Sequence, residues 1–93
     1  MNYQIIWMPR ALQELAAIWL ATANRNAVTA ASNAIDLELA ARPHTTGRLL
    51  FDTVYEYDLP PLGVEFEVID ADRQVLVLTC WSTATGRPTV TGN

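Results

Sequence analysis

In this 93-residue chain the spacing of apolar residues is helical from Arg10 to Pro43 and changes there. Leu12, Leu15, Ala16 and Trp19 fall at i, i+3, i+4 and i+7, which predicts a helix over residues 10–22, entered through Pro9. Val28, Ala31, Ile35 and Leu39 share one face of a second predicted helix over residues 25–41. Asn24 is either the stop of the first helix or the N-cap of the second. Pro43 ends the second helix, because proline drives the residue before it out of the α region. So short a connection predicts an antiparallel helical hairpin.

After Pro43 the period becomes two. Residues 43–52 read as a connection with a turn at Thr45-Thr46-Gly47. Three β runs follow, over 53–58, 63–69 and 74–81. Leu59-Pro60-Pro61-Leu62 is a stiff corner between the first two. In the second run Val64, Phe66 and Val68 alternate with Glu65 and Glu67. Residues 70–73 form a turn rich in aspartate. The last run is apolar on both sides, so it belongs in the middle of a sheet. Tyr3-Gln4-Ile5-Ile6-Trp7 reads as a further strand. The order is β-α-α-β-β-β. It predicts an α+β fold in which an N-terminal strand joins a three-stranded antiparallel meander in one sheet, with the helical hairpin on one face. Residues 1–81 are one domain and 82–93 a loose tail.

Composition narrows the function. Half the chain is hydrophobic (51%) and 17% is charged, which excludes intrinsic disorder. All six bases are arginine, against ten acids, for a net charge of −4. That balance disfavours direct nucleic-acid binding. The single cysteine, Cys80, has no internal partner, in keeping with a reducing, cytoplasmic setting. No targeting signal and no stretch long enough to span a membrane is seen. The chain lacks zinc, EF-hand and P-loop patterns, so no metal and no cofactor is expected.

The opening Tyr3-Gln4-Ile5-Ile6-Trp7-Met8-Pro9-Arg10-Ala11 passes from a strand into a helix through a proline. Ala34-Ile35-Asp36 is followed by Leu39 and Pro43. Pro61-Leu62-Gly63-Val64-Glu65-Phe66-Glu67-Val68 precedes Asp72-Arg73-Gln74-Val75-Leu76-Val77-Leu78. These segments, spanning residues 3–81, resemble the RelE/ParE superfamily of toxins from type II toxin–antitoxin systems, the addiction modules of plasmid stabilisation. The resemblance implies a RelE/ParE-like fold and a cognate antitoxin as partner. It implies one of two actions: RelE-like cleavage of mRNA on the ribosome, or ParE-like, non-catalytic poisoning of DNA gyrase. RelE-like members carry an arginine near the start of the penultimate strand, where this chain has Leu62-Gly63-Val64. They carry another after the last strand, where it has Ser82-Thr83-Ala84-Thr85. Their terminal tyrosine or histidine is absent here. The gyrase-type action is therefore expected. An endoribonuclease is the first alternative and a non-toxic binding module the second. Self-association is a further partner expectation.

Charge leads the same way. Seven acids and no base lie between Asp52 and Asp72. A sheet face carrying Glu65 and Glu67 would repel a phosphate backbone. Arg48, Arg73 and Arg87 are the candidates for any catalytic phosphate contact, with a turn ion pair as the plainer role for Arg73. His44 reads as an exposed loop residue without a partner, and Cys80 as a buried, inert thiol. Trp81 and Val77 are the candidate partner-binding residues, since tryptophan is over-represented at binding hot spots, with a place in the core as the equal alternative for Trp81.

Overall fold

The computed structural model describes residues 2–87. Strand β1 (Gln4–Trp7) runs into helix α1 (Pro9–Ala21), followed by α2 (Arg25–Ala41) and a short α3 (Pro43–Thr46). Then come β2 (Arg48–Phe51), β3 (Val54–Leu59), β4 (Leu62–Ile69), a 3-10 turn (Asp70–Asp72) and β5 (Gln74–Ser82). Pro9 starts α1, where its missing N–H costs nothing. Asn24 is the N-cap of α2, its side chain accepting the Ala27 N–H at 3.1 Å.

The sheet order is β1-β5-β4-β3-β2. The β3-β4-β5 meander is antiparallel, as expected, with β5 in the interior of the sheet. Two features differ from the sequence reading. β1 pairs parallel with β5, so the sheet is mixed. The expected connection over residues 43–52 contains α3 and an edge strand, β2, which pairs antiparallel with β3. Pro43 serves both as the stop of α2 and as the first residue of α3.

Both main helices pack on one face of the sheet. Ala11, Val28, Ala31, Ile35 and Leu39 meet Val64, Phe66, Val68, Val75, Val77 and Cys80, each 5% exposed or less. Burying a side chain the size of valine or phenylalanine contributes ~1.5–3 kcal/mol. Directly opposed residues in a sheet share a face, so the pairs Val64–Cys80, Phe66–Val77 and Val68–Val75 all point at the helices. The register shifts opposite Glu65 and Phe66, which places Leu78 as an extra residue on β5. Glu14 of α1 closes the edge that β5 exposes where β1 ends. Its carboxylate accepts the Cys80 N–H at 3.0 Å and the Thr79 hydroxyl at 2.7 Å.

The expected loose tail falls partly on residues 88–93, which lie outside the described residues. The described part is tied down. The Thr83 N–H donates to the Pro61 carbonyl at 2.9 Å, and the Gly86 N–H to that of Ser82 at 2.9 Å.

Candidate functional site

The sheet face away from the helices is organised in cross-strand rows. One row runs Arg48, Glu56, Glu65, Thr79 across β2, β3, β4 and β5. The next runs Asp58, Gly63, Trp81 across β3, β4 and β5. Glu56 and Glu65 are directly opposed, an arrangement that is repulsive without a counter-ion. Two arginines supply it. Arg48 pairs with Glu56, and Arg87 bridges Glu56 and Glu65. Hydrogen bonds from Arg48, and then from Arg87, hold the Glu56 carboxyl below its ordinary range against a partial burial that would raise it. The Arg48 guanidinium is correspondingly pushed up by Glu56.

Beside this ion cluster the indole of Trp81 lies on Gly63. A Cβ at residue 63 would collide with that indole and with the Asp58 carboxylate, so the site requires glycine. The Arg87 guanidinium sits 5.2 Å above the Trp81 ring. Trp81 is left only 5% exposed.

The expected site residues divide into three groups. Arg48 and Arg87 come together at Glu56, although 39 positions separate them in the chain (87 minus 48). Both are neutralised there. The acidic stretch 52–72 therefore does not give a bare acidic face, because its carboxylates recruit bases from outside the stretch. Arg73 is elsewhere, in the left-handed turn at the far end of β4 and β5 (φ 52°), over the ring of Tyr3 at 4.4 Å. The partner-binding pair is interior in this chain: Val77 is fully buried beneath the helices and Trp81 lies under Arg87. Val77 faces the core because it opposes Phe66, and Trp81 is covered because Gly63 makes room for its ring.

His44 has a partner after all. It stands on α3, with Nε2 3.1 Å from Asp70 Oδ2, and Asp70 also accepts the Tyr3 hydroxyl at 2.5 Å. Those bonds, Tyr3's first, hold the Asp70 carboxyl down and push the Tyr3 phenol up. The cluster ties the start of the chain, α3 and the β4–β5 turn to one carboxylate. The Cys80 thiol is pushed up to about 12, chiefly by burial, and is inert as expected. No group of three or more His, Cys, Asp or Glu among the described residues is placed to hold a metal ion.

The sequence reading missed a surface on the helices. Leu12, Leu15, Ala16, Trp19 and Leu20 of α1 meet Val28, Thr29 and Ser32 of α2 around an open groove of about 470 Å³. Leu12 is 52% and Leu20 66% exposed, far more than a core stripe requires. Trp19 is fixed at the groove by its N–H to the Thr29 hydroxyl, 3.2 Å, with Arg25 over its ring at 4.5 Å. The signal was present as Leu12, Ala16, Trp19 and Leu20, but a helical stripe alone does not say whether core or solvent covers it.

No protein-family model matches the sequence, and no curated protein matches it significantly. Solved structures do share its fold. The RelBE2 toxin–antitoxin complex of Mycobacterium tuberculosis contains a chain that superposes with a TM-score of 0.73 at 15% identity, over 88% of this chain and 99% of that one. An E. coli RelE variant in the free state gives 0.68 at 17% identity, over 91% and 87%. The chromosomal ParDE system of P. aeruginosa gives 0.57 at 17% identity, over 86% and 95%. The chain has the fold of the RelE and ParE toxins.

Proposed function

We propose that this protein is a toxin-type subunit of a toxin–antitoxin pair that binds its target rather than cutting RNA, with gyrase-type action as the reading favoured. The carrying observation is the state of the open sheet face. Its two arginines, Arg48 and Arg87, are engaged by Glu56 and Glu65. Cleavage of a phosphodiester needs preorganised positive charge aimed at the scissile group. Gly63 occupies one position where the RelE-like pattern has a base, and it is fixed by the packing of Trp81. Neutralised charge with a packed tryptophan suits a structural floor better than a phosphate site.

The antitoxin's apolar side chains would dock in the α1–α2 groove, on Leu12, Trp19 and Leu20. Antitoxin complexes among the structures of this fold support the choice of partner. Removing a central aromatic anchor costs about 2 kcal/mol or more, roughly thirtyfold in affinity. Calorimetric titration of the neighbouring gene product should show that loss for Trp19→Ala, with circular dichroism confirming that the variant is still folded. Equal affinities would remove the groove from the account. The action is tested by adding the purified chain to a DNA gyrase supercoiling assay. Inhibition that the neighbouring gene product reverses is expected; full gyrase activity at saturating toxin would refute the gyrase reading.

A further inference from the structure

β2 is the sheet edge opposite β1, and its outer side pairs with no strand among the described residues. An unpaired edge is a template for another strand, and proteins commonly blunt it with charge, proline or a covering element. The β1 edge is flanked by α2, whose Ala40 carbonyl takes the Tyr3 N–H and whose Asp36 takes the Trp7 indole N–H. β2 has one charged residue, Arg48, and two large apolar side chains in solvent. Leu49 is 54% and Phe51 58% exposed.

The strand also carries a bulge. Leu49 opposes Tyr55 and Phe51 opposes Val54, so Leu50 is an extra residue. In a regular strand, residues 48 and 51 would point to opposite faces. Here Arg48 opposes Glu56 and Phe51 opposes Val54, and those two are two apart on β3. The bulge thus puts Arg48 and Phe51 on the same face, the one away from the helices.

We propose that β2 pairs with β2 of a second copy of this chain, antiparallel about a two-fold axis. Arg48 then lies opposite Phe51 of the second copy, and Leu49 opposite Leu50. A two-fold edge pairing keeps each sheet face continuous, so opposed residues must share a face. Without the bulge this register would be forbidden. With it, each guanidinium meets the other copy's phenylalanine ring on the open face. Asp52, exposed just after β2, comes within one residue of the second copy's Arg48, so opposite charges meet at both ends of the seam. A second copy fills this edge because the strand is its own complement. The inference stands independently of the toxin reading.

Four residues per copy make a seam below the roughly 1,200 Å² of a stable interface, so the dimer is weak and concentration-dependent. Sedimentation velocity of the full chain from roughly 10 µM to 1 mM reads it. The wild type should pass from monomer toward dimer over that range. Phe51→Lys and Arg48→Asp should weaken the association at least tenfold, and Leu20→Lys, on the helical groove, should leave it unchanged. Circular dichroism checks folding, with Leu49→Lys taking the place of a variant whose spectrum changes. A wild type that stays monomeric at the highest concentration overturns the proposal. So does a dimer that survives Phe51→Lys or is lost with Leu20→Lys.

Discussion

Beneath the helices, β4 and β5 present Val64, Phe66, Val68, Val75 and Val77, each 2% exposed or less. On their other side the same two strands carry Glu65, Glu67, Thr79 and Trp81, with Gly63 beneath the indole. The first face is held by burial, which is non-directional and tolerates changes of shape poorly. The second is held by specific pairings: a glycine matched to an indole, and two carboxylates matched to two arginines. The difference teaches that charged residues on this open face are structural partners of one another before they are available to any ligand.

The comparison breaks most sharply on the helical face. Phe66 is fully buried and stacks on Tyr55 with ring centroids 5.5 Å apart. Phe66→Ala should cost ~3–5 kcal/mol, a large part of the stability of a domain this size, read by chemical denaturation. A loss under ~1 kcal/mol would mean that the helices do not seal this face.

A smaller effect is expected from Gly63→Ala. The added methyl meets the Trp81 indole and the Asp58 carboxylate, and overpacking of this kind costs ~1–3 kcal/mol. A neutral or stabilising result would show that Trp81 is free to move away, and that the open face is softly packed.

Much of this was legible in the sequence, and the misses have physical causes. The helices announced themselves by spacing, and β4 by the alternation of Val64, Phe66 and Val68 with glutamates. β2 did not, because Arg48-Leu49-Leu50-Phe51 is short, bulged and shows no alternation. α3 was hidden by Pro43, which signals an end and a beginning equally well. The parallel pairing of β1 with β5 leaves no local mark. The site was harder still. Arg48, Arg87, Glu56 and Glu65 are ordinary surface residues in sequence, and only the strand register makes them neighbours. The burial of Trp81 depends on a glycine 18 positions away (81 minus 63). His44 finds Asp70 only once α3 and the β4–β5 turn are placed together.

The smallest effect concerns the ion cluster. In the folded chain the Glu56 carboxyl titrates below its ordinary value of 4.5. Its pairings therefore stabilise fully above about pH 4.5 and are lost as the pH falls through the lower, folded value. Asp70, also held down, adds to the same acid limb. Thermal melts should lose stability from about pH 4.5 downward. Glu56→Gln should flatten that slope and cost about 1 kcal/mol or less at neutral pH, since the cluster is partly solvated. An unchanged acid limb in Glu56→Gln would mean that Arg48 and Arg87 do not hold the carboxylate in solution.

The most direct test of the account is primer extension on a message being translated in the presence of the purified protein. With Arg48 and Arg87 engaged by Glu56 and Glu65, the message should stay intact even with the protein in excess over ribosomes, with Arg48→Ala and Arg87→Ala indistinguishable from wild type. Discrete cuts made by the wild type and abolished by either substitution would contradict it, and would make these arginines catalytic residues.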